Sequence, residues 1–299
     1  MDRFYLMSVF VAVAEEGGFA AGARRLGMSP PAVTRAIAAL EEKLGVRLLE
    51  RTTRHVRLTE AGQRYLEDTR RIIAAADEAD EAAAGINAAP RGLLAVTAPV
   101  LFGRMYVMPG IVDYLQRYPG TEVSAVFVDR VTNLIEEGLD VGVRIGELPD
   151  SSLRALRVGQ VRRMICAAPA YIAANGQPAS PSELERHTLI VNTGASVQPE
   201  WRFIEKNGVN AYRVHPRLTV SSIDAAIEAT RRGLGLTRLL SYQAAPWLAS
   251  GDLVPVLTEF ELPAVPVNIV HRDGRRGSAR VRAFIDLLAE RLRGDPALA

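Results

Sequence analysis

The chain has one cysteine, Cys166, in 299 residues. A lone thiol cannot close an internal disulfide, which suits a reducing cytoplasm. Set in the apolar run MICAAP, it reads as a buried core thiol rather than a redox sensor. No stretch of about twenty apolar residues occurs, so no membrane-spanning helix is expected. The four histidines, His55, His187, His215 and His271, are scattered, and none pairs with Cys166 or another histidine at metal-ligand spacing, so neither a metal nor another cofactor is expected. No G-x-S-x-G elbow and no G-x-x-x-x-G-K-[ST] phosphate loop is present. Gly233-Leu234-Gly235 follows a helical pattern and precedes a strand, the reverse of a dinucleotide loop. Enzymatic chemistry therefore finds little support.

What is present is apolar content enough for two cores: 48% of the residues are hydrophobic, in a chain longer than one average domain. The apolar run from Phe4 to Ala14, ending Ala12-Val13-Ala14, has the outline of a secretory signal, but Asp2 beside Arg3 weakens its positive end. Phe4, Met7, Val11 and Ala14 repeat at three-to-four-residue spacing, which predicts an amphipathic helix over 2–15.

The most informative stretch follows, GGFAAGARRLGMSPPAVTRAIAALEEKLG. Phe19, Ala20, Ala23 and Leu26 fall at helical spacing, and Gly27 is placed to close that helix in the left-handed conformation. Ser29 then reads as an N-cap, with Pro30 and Pro31 in a first turn where no N–H is needed. Val33, Ile37, Leu40 and Leu44 form a buried stripe, leaving Pro30, Thr34, Arg35 and Ala38 outside. Two helices joined this way can be plain packing or a helix-turn-helix that reads the major groove. Downstream, VRLLERTTRHVRLTEAG suggests a small hairpin around Thr52, Thr53 and Arg54. Residues 24–57 hold eight basic and three acidic residues, net +5 against +2 for the whole chain. Positive charge is thus concentrated where phosphates would lie.

The order of these segments resembles the N-terminal domain of the LysR-type transcriptional regulators over roughly the first ninety residues, with LTEAG after an arginine-rich wing as a family-like detail. The resemblance implies a reader of double-stranded promoter DNA. It places Ser29, Pro31, Thr34 and Arg35 on the recognition helix and Arg51, Thr52 and Arg54 on the wing. Pro30 stands where many members carry glutamine, and proline cannot hydrogen-bond an adenine edge as an amide can. The implied fold is an N-terminal all-α winged helix-turn-helix (1–59) plus a long linker helix (60–88), then a C-terminal α/β two-lobed, periplasmic-binding-protein-like (type 2) domain (91–299). The family assembles as homodimers or homotetramers, with a small-molecule effector and RNA polymerase as further partners.

In the linker, Tyr65, Thr69, Ile72, Ala76, Ala79, Ala83 and Ile86 alternate steps of four and three, the repeat of a helix lying along another helix. The sequence therefore predicts a dimerisation seam, with packing on the chain's own C-terminal domain as the alternative. Gly85 and then Ala89-Pro90-Arg91-Gly92 mark its end.

From Gly92 onward strands alternate with helices, the rhythm of an α/β domain. The spacing predicts strands at 93–97, 122–128, 141–145, 189–192, 218–220, 236–240 and 265–271, with extended segments over 153–168. It also predicts a loop at 98–102 leading into a helix, a short helix at 131–137, and a helix opened by a Ser180-Pro181-Ser182-Glu183 capping box. A hairpin should turn at Lys206-Asn207-Gly208, and a last helix should cover 278–292. The resemblance assigns 91–163 and 267–299 to one lobe and 164–266 to the other. In such sheets ligands bind beyond the strands' carboxyl ends, so a pocket is expected between lobes. Helix N-termini favour anions, which brings in Pro99, Val100, Leu101 and Phe102 on one side and Ser221, Ser222 and Ile223 on the other. Arg144, Gly146, Asn192, Thr193 and Thr237 stand at strand ends facing the same cleft. Val100, Leu101 and Phe102 occupy positions where many relatives carry a hydroxyl, so the expected effector is a small organic anion with an apolar body. For Ser221 and Ser222, simple helix capping is the competing role. A solute-binding protein with an unusual N-terminus is the rival to the regulator as a whole.

Overall fold

The computed structural model describes residues 2–51, 56–84, 89–149, 153–192, 200–272 and 278–298. The chain divides into two compact units, Met1–Ala88 and Ala89–Ala299.

In the first unit, α1 (Arg3–Glu15) starts where the Asp2 carboxylate accepts the Phe4 N–H. Helix α2 (Phe19–Arg25) is followed by Gly27 at φ +62°, and the Met28 N–H returns to the Ala23 carbonyl at 2.9 Å, a left-handed exit that glycine makes without strain. Helix α3 (Pro30–Leu44) has both prolines in its first turn. Ser29 caps it through its backbone carbonyl, which accepts from Ala32 and Val33, and its side chain makes no cap bond. Val33, Ile37 and Leu40 are buried as the spacing requires, with Ala36 beside them, whereas Leu44 is only partly covered. Strands β1 (Leu49–Arg51) and β2 (Val56–Leu58) pair antiparallel, Leu49 opposite Leu58. They flank the expected hairpin centre; Thr52, Thr53 and Arg54 lie outside the described residues. Helix α4 (Glu60–Ala84) leaves the wing.

The second unit holds two five-stranded sheets. The first has the order β4-β3-β5-β14-β6, from β3 (Gly92–Ala98), β4 (Thr121–Phe127), β5 (Val141–Ile145), β6 (Arg154–Val161) and β14 (Val265–His271). The second has the order β11-β8-β12-β7-β13, from β7 (Arg163–Ala167), β8 (Leu189–Asn192), β11 (Leu218–Val220), β12 (Leu236–Leu240) and β13 (Val254–Val256). Both sheets are mixed: β3 runs parallel to β4 and β5, while β14 returns antiparallel between β5 and β6. The chain crosses between sheets after β6 and again before β14. Arg163 pairs with Leu240 in the second sheet and Val265 with Val161 in the first. Both crossovers therefore fall a residue or two earlier than the lobe limits taken from resemblance.

Three local expectations are corrected, and one strand, β13, went unread. The 98–102 segment is not a loop: α5 (Val100–Phe102) runs through a π-helical stretch, Gly103–Val107, into α6 (Met108–Arg117). Residues 131–133 are irregular and 134–138 form turns instead of a helix, because the Asn133 side chain takes the Ile135 and Glu136 N–H groups and Gly138, at φ +65°, ends the turn. Pro181–Arg186 is a 3-10 helix, preceded by α7 (Pro169–Asn175), and Glu183 accepts from Ala179 N–H instead of completing a box with Ser180. Strand β13, three residues with a central proline, lies at a sheet edge, the place where proline is tolerated, and its brevity hid it. The hairpin of β9 (Glu200–Glu205) and β10 (Gly208–Arg213) turns at Lys206-Asn207, within the segment read from the sequence, and Gly208, at φ +112°, opens β10 opposite Glu205. Helices α8 (Ile223–Arg231), α9 (Ser241–Ser250) and α10 (Ala279–Arg293) complete the unit. Cys166 is fully buried, and burial first, then the Glu261 charge, pushes its thiol up to about 12, so almost none is thiolate at neutral pH.

Candidate nucleic-acid interface and effector cleft

On α3, Ser29, Pro30, Pro31, Arg35 and Ala38 are exposed and Thr34 is partly so. This face stands clear of the domain's core because Val33, Ala36, Ile37 and Leu40 hold the opposite one. The wing is pinned to the same helix: Glu41 Oε1 accepts from Leu48 N at 2.8 Å and from Leu49 N at 3.1 Å. One of the three acids in the basic stretch is thus turned inward onto backbone. The LTEAG segment closes the base of the wing. Thr59 donates its hydroxyl to the Arg47 and Leu48 carbonyls and accepts the Gly62 N–H at 2.9 Å, capping α4. Gly62 lies so close to the Leu48 carbonyl that a Cβ there would sit 2.0 Å from its oxygen. Arg51 lies at the end of β1, while Thr52 and Arg54 are outside the described residues.

Not every arginine of the basic stretch is available to a phosphate. Arg25 donates to Glu15 at 2.6 Å and lies 3.5 Å from Glu16, while Arg70 of α4 reaches the other Glu15 oxygen at 2.7 Å. Glu15 thereby ties α1, α2 and α4 together. Burial would raise its pKa, but the hydrogen bonds from Arg25 and Arg70 outweigh that and hold it below the usual value. A depressed carboxylate stabilises the fold above its unfolded pKa and loses that contribution as pH falls through its folded value. Glu15→Gln should therefore cost about 1 kcal/mol at pH 7, the part-exposed setting limiting the effect. Denaturant melts of both forms should converge toward pH 3; a difference independent of pH would refute the clasp.

The linker seam is split. Tyr65 packs its ring 5.5 Å from Phe10, and Leu66 and Thr69 are buried in the chain's own first unit. Tyr65, itself partly buried, thus packs on the first unit's own core, because the first two turns of α4 complete that core. Ile72 is 42% exposed and Ala76 partly exposed. Ala79 and Ala83 lie on the helix; Ile86 is outside the described residues.

In the second unit, Pro99 precedes α5, and the Val100 N–H expected to meet an effector carboxylate instead donates to Asp129 Oδ1 at 3.0 Å. Leu101 and Phe102 are buried. Phe102 stacks on Tyr106 at 4.8 Å, and both meet the edge of Tyr242 on α9, at 5.2 and 5.8 Å. These residues join the lobes instead of lining an open cleft, since helical geometry from Val100 turns them inward. Tyr242 has its pKa pushed up, by burial first and then by Asp129, Tyr106 and Asp224. Arg104 approaches Asp224, in the first turn of α8, at 3.5 Å. That contact sets the end of the 99–104 segment beside the start of α8, which Ser221 and Ser222 precede. Both serines are exposed, and Ser222 makes no side-chain cap bond, while Ile223 is buried. Arg144 donates to the Thr132 carbonyl at 3.1 Å and to its hydroxyl, and burial lowers its pKa. Gly146, at φ +117°, donates to Pro266 O. Asn192 ends β8 and is partly buried; Thr193 is outside the described residues. Thr237 is buried with its hydroxyl on Ile190 O at 3.0 Å, a sheet contact that removes it from the cleft. Sequence reading missed Asp129 and Asp224; their positions, after a strand and at a helix start, were the available signals.

A winged helix-turn-helix with an open reading face, followed by a two-lobed α/β unit, is the architecture of a DNA-binding regulator with a sensor domain. Residues 4–63 match the model of the bacterial regulatory helix-turn-helix protein, lysR family, and residues 87–293 that of the LysR substrate binding domain. The chain belongs to the LysR family of transcriptional regulators. It is 35% identical over 291 residues to an HTH-type transcriptional regulator of Xanthomonas campestris pv. campestris, covering 96% of this chain and 85% of that one. It is 34% identical to CrgA of Neisseria meningitidis serogroup B over 96% of both chains. The solved CrgA structure superposes with a TM-score of 0.63 over 97% of this chain and 99% of that one. The full-length Vibrio cholerae virulence activator AphB, 25% identical, gives 0.62 over 97% and 99%. Regulators of this family bind DNA through the helix-turn-helix and small molecules through the substrate-binding domain, and these homologues are transcriptional regulators. Among the described residues no single helix is long and apolar enough to cross a membrane.

Proposed function

We propose that this regulator grips promoter DNA as a homodimer or homotetramer through Ser29, Pro31, Thr34 and Arg35 of α3 and through the wing residues Arg51, Thr52 and Arg54, and that a small organic anion in the C-terminal domain adjusts that grip. The observation that carries the DNA reading is the exposed N-terminal half of α3, with Arg35 free of any acidic partner among the described residues and the wing fixed to its far end through Glu41. Pairing of two chains along α4 from Ile72 onward would set two reading helices on successive major grooves. Because Asp129 occupies the α5 N-terminus and Arg144 is spent on Thr132, the anion is held elsewhere than at the Val100 N–H.

A gel-shift titration with promoter fragments tests the reading. Arg35→Ala combined with Arg54→Ala is expected to weaken binding more than about tenfold and to flatten its salt dependence. Unchanged affinity would reject this reading surface, and absence of DNA binding by the unaltered protein would favour the solute-binding alternative.

A further inference from the structure

The two crossovers that join the lobes meet through a charged pair that the regulator reading does not use. Arg162 lies between β6 and β7, and Glu261 lies in the segment that leads into β14. The backbone of Arg162 is fixed to the start of α9 in the second lobe: its N–H donates to Ser241 Oγ at 3.1 Å, and its carbonyl accepts from Ser241 N at 2.8 Å. Its side chain reaches the other crossover, where Nη1 donates to Glu261 Oε2 at 3.0 Å.

The pair is asymmetric. The Arg162 side chain is 57% exposed and that of Glu261 10%, and Glu261 Oε1 is buried with no hydrogen-bond partner. One oxygen of this carboxyl is met by a cation and the other is dry. A missing donor costs the charged form more than the neutral one, so the dry oxygen favours the acid over the carboxylate. Arg163 on β7, Arg238 on β12 and Arg202 on β9 border the depression beside Glu261, yet none of them bonds Oε1. Cys166 on β7 feels the carboxylate only through its charge. Burial raises the Glu261 pKa, and the charge and hydrogen bond of Arg162 oppose that rise without cancelling it.

The approach to Glu261 is strained as well. Leu257, at φ +57°, is among the described residues the one other than glycine in the left-handed region, a conformation that costs a residue with a Cβ. An open groove of about 340 Å³ runs beside the crossovers, bordered by Gln160, Arg162, Ser241 and Ala264. A rotation of the lobes about this place therefore displaces water on that side instead of packed side chains.

We propose that Glu261 is a proton-linked hinge element: protonated, it holds the lobes as they stand here, and ionised, it drives the crossovers toward an arrangement in which Oε1 is hydrated, with Arg162 restraining that opening. The sign follows from linkage. A carboxyl that keeps its proton better here than in water stabilises this arrangement fully below the ordinary carboxylate range, and that stabilisation is lost as pH rises through the raised value. A salt bridge that only ties two strands together gives the opposite sign, since it weakens when the carboxylate is protonated. The consequence for ligand affinity rests on the reading of the C-terminal domain as the sensor, whose cleft lies between the same two lobes.

Amide hydrogen exchange of the full-length protein, corrected for the intrinsic rate at each pH, tests this in peptides covering the two crossovers. Protection in the unaltered protein should fall at least about threefold between about pH 5 and about pH 7.5. Glu261→Gln, which stays neutral, should keep the low-pH protection at both values, whereas Arg162→Gln should lose about threefold more at the higher pH. The two variants thus move in opposite directions. Protection that rises with pH, protection indifferent to pH in the unaltered protein, or equal loosening by both variants would overturn the hinge element and leave an ordinary salt bridge. If Glu261→Gln does not fold, Arg162→Gln carries the test, since it should steepen the fall with pH, and a flat profile would overturn the proposal. Gel shifts on the same preparations separate this from the broader reading: equal promoter affinity for variants whose protection has changed in opposite directions rejects the link from lobes to DNA and leaves the hinge element standing.

Discussion

Gly62→Ala is expected to destabilise the DNA-binding unit strongly while leaving the substrate-binding unit intact. Helix propensity alone predicts the opposite, since alanine stabilises a helical position by about 1 kcal/mol over glycine. The added Cβ would lie 2.0 Å from Leu48 O and 2.9 Å from its carbonyl carbon, and that obstacle is backbone, held in place by the Thr59 N–H at 3.0 Å and the Thr59 hydroxyl. To relieve the clash, α4 must swing off the wing, which would also disturb the bonds from Leu48 and Leu49 to Glu41. We expect a loss of about 3 kcal/mol or more. For a unit of this size that lowers its melting temperature by about 15 °C, with the transition of Ala89–Ala299 unchanged. Calorimetric scans of both forms decide it: a melting temperature that stays level or rises would show that propensity wins and that the close approach is unimportant.

That glycine also shows what could be read from the residues alone. LTEAG was legible as a family-like detail, but only the fold reveals that its threonine caps α4 and its glycine admits the Leu48 carbonyl. The helix-turn-helix was legible because Gly27, Ser29, Pro30 and Pro31 signal locally, within a turn of the backbone they bend. The Asn207-Gly208 hairpin was legible for the same reason. The Glu15 clasp was not, since Glu15 and Arg70 are 55 positions apart and each alone reads as a solvated charge. The periodicity of α4 was seen correctly but given one partner where there are two faces in succession: Tyr65 and Thr69 satisfy the same spacing by packing at home. The cleft was least legible. Which strand ends converge follows from topology, but whether a helix N-terminus is free depends on one carboxylate, Asp129, whose only signal in the sequence is its place just after a strand.

Phe102→Ala should be the most damaging substitution in the second unit, and its size distinguishes two views of that residue. If Phe102 lined an open effector cleft, truncation would change stability by no more than about 0.5 kcal/mol and would act mainly on ligand affinity. In the structure it is fully buried, stacked on Tyr106 and set against Tyr242, so that one ring holds the α5–α6 segment of the first lobe to α9 of the second. Removing it deletes a buried aromatic and leaves a void that cannot close without moving one lobe against the other, a loss of about 3–5 kcal/mol. Tyr242→Phe is the matched control. It keeps the edge-to-face contacts and removes only a hydroxyl that accepts from Gln243 Nε2 at 3.2 Å, so its cost should stay near 1 kcal/mol. Chemical denaturation of the two variants, read by a probe in the second unit, should separate them by about 2 kcal/mol or more. Equal, small losses would mean that the aromatic contact does not carry the lobe junction, and Phe102 would return to the list of residues that face a ligand.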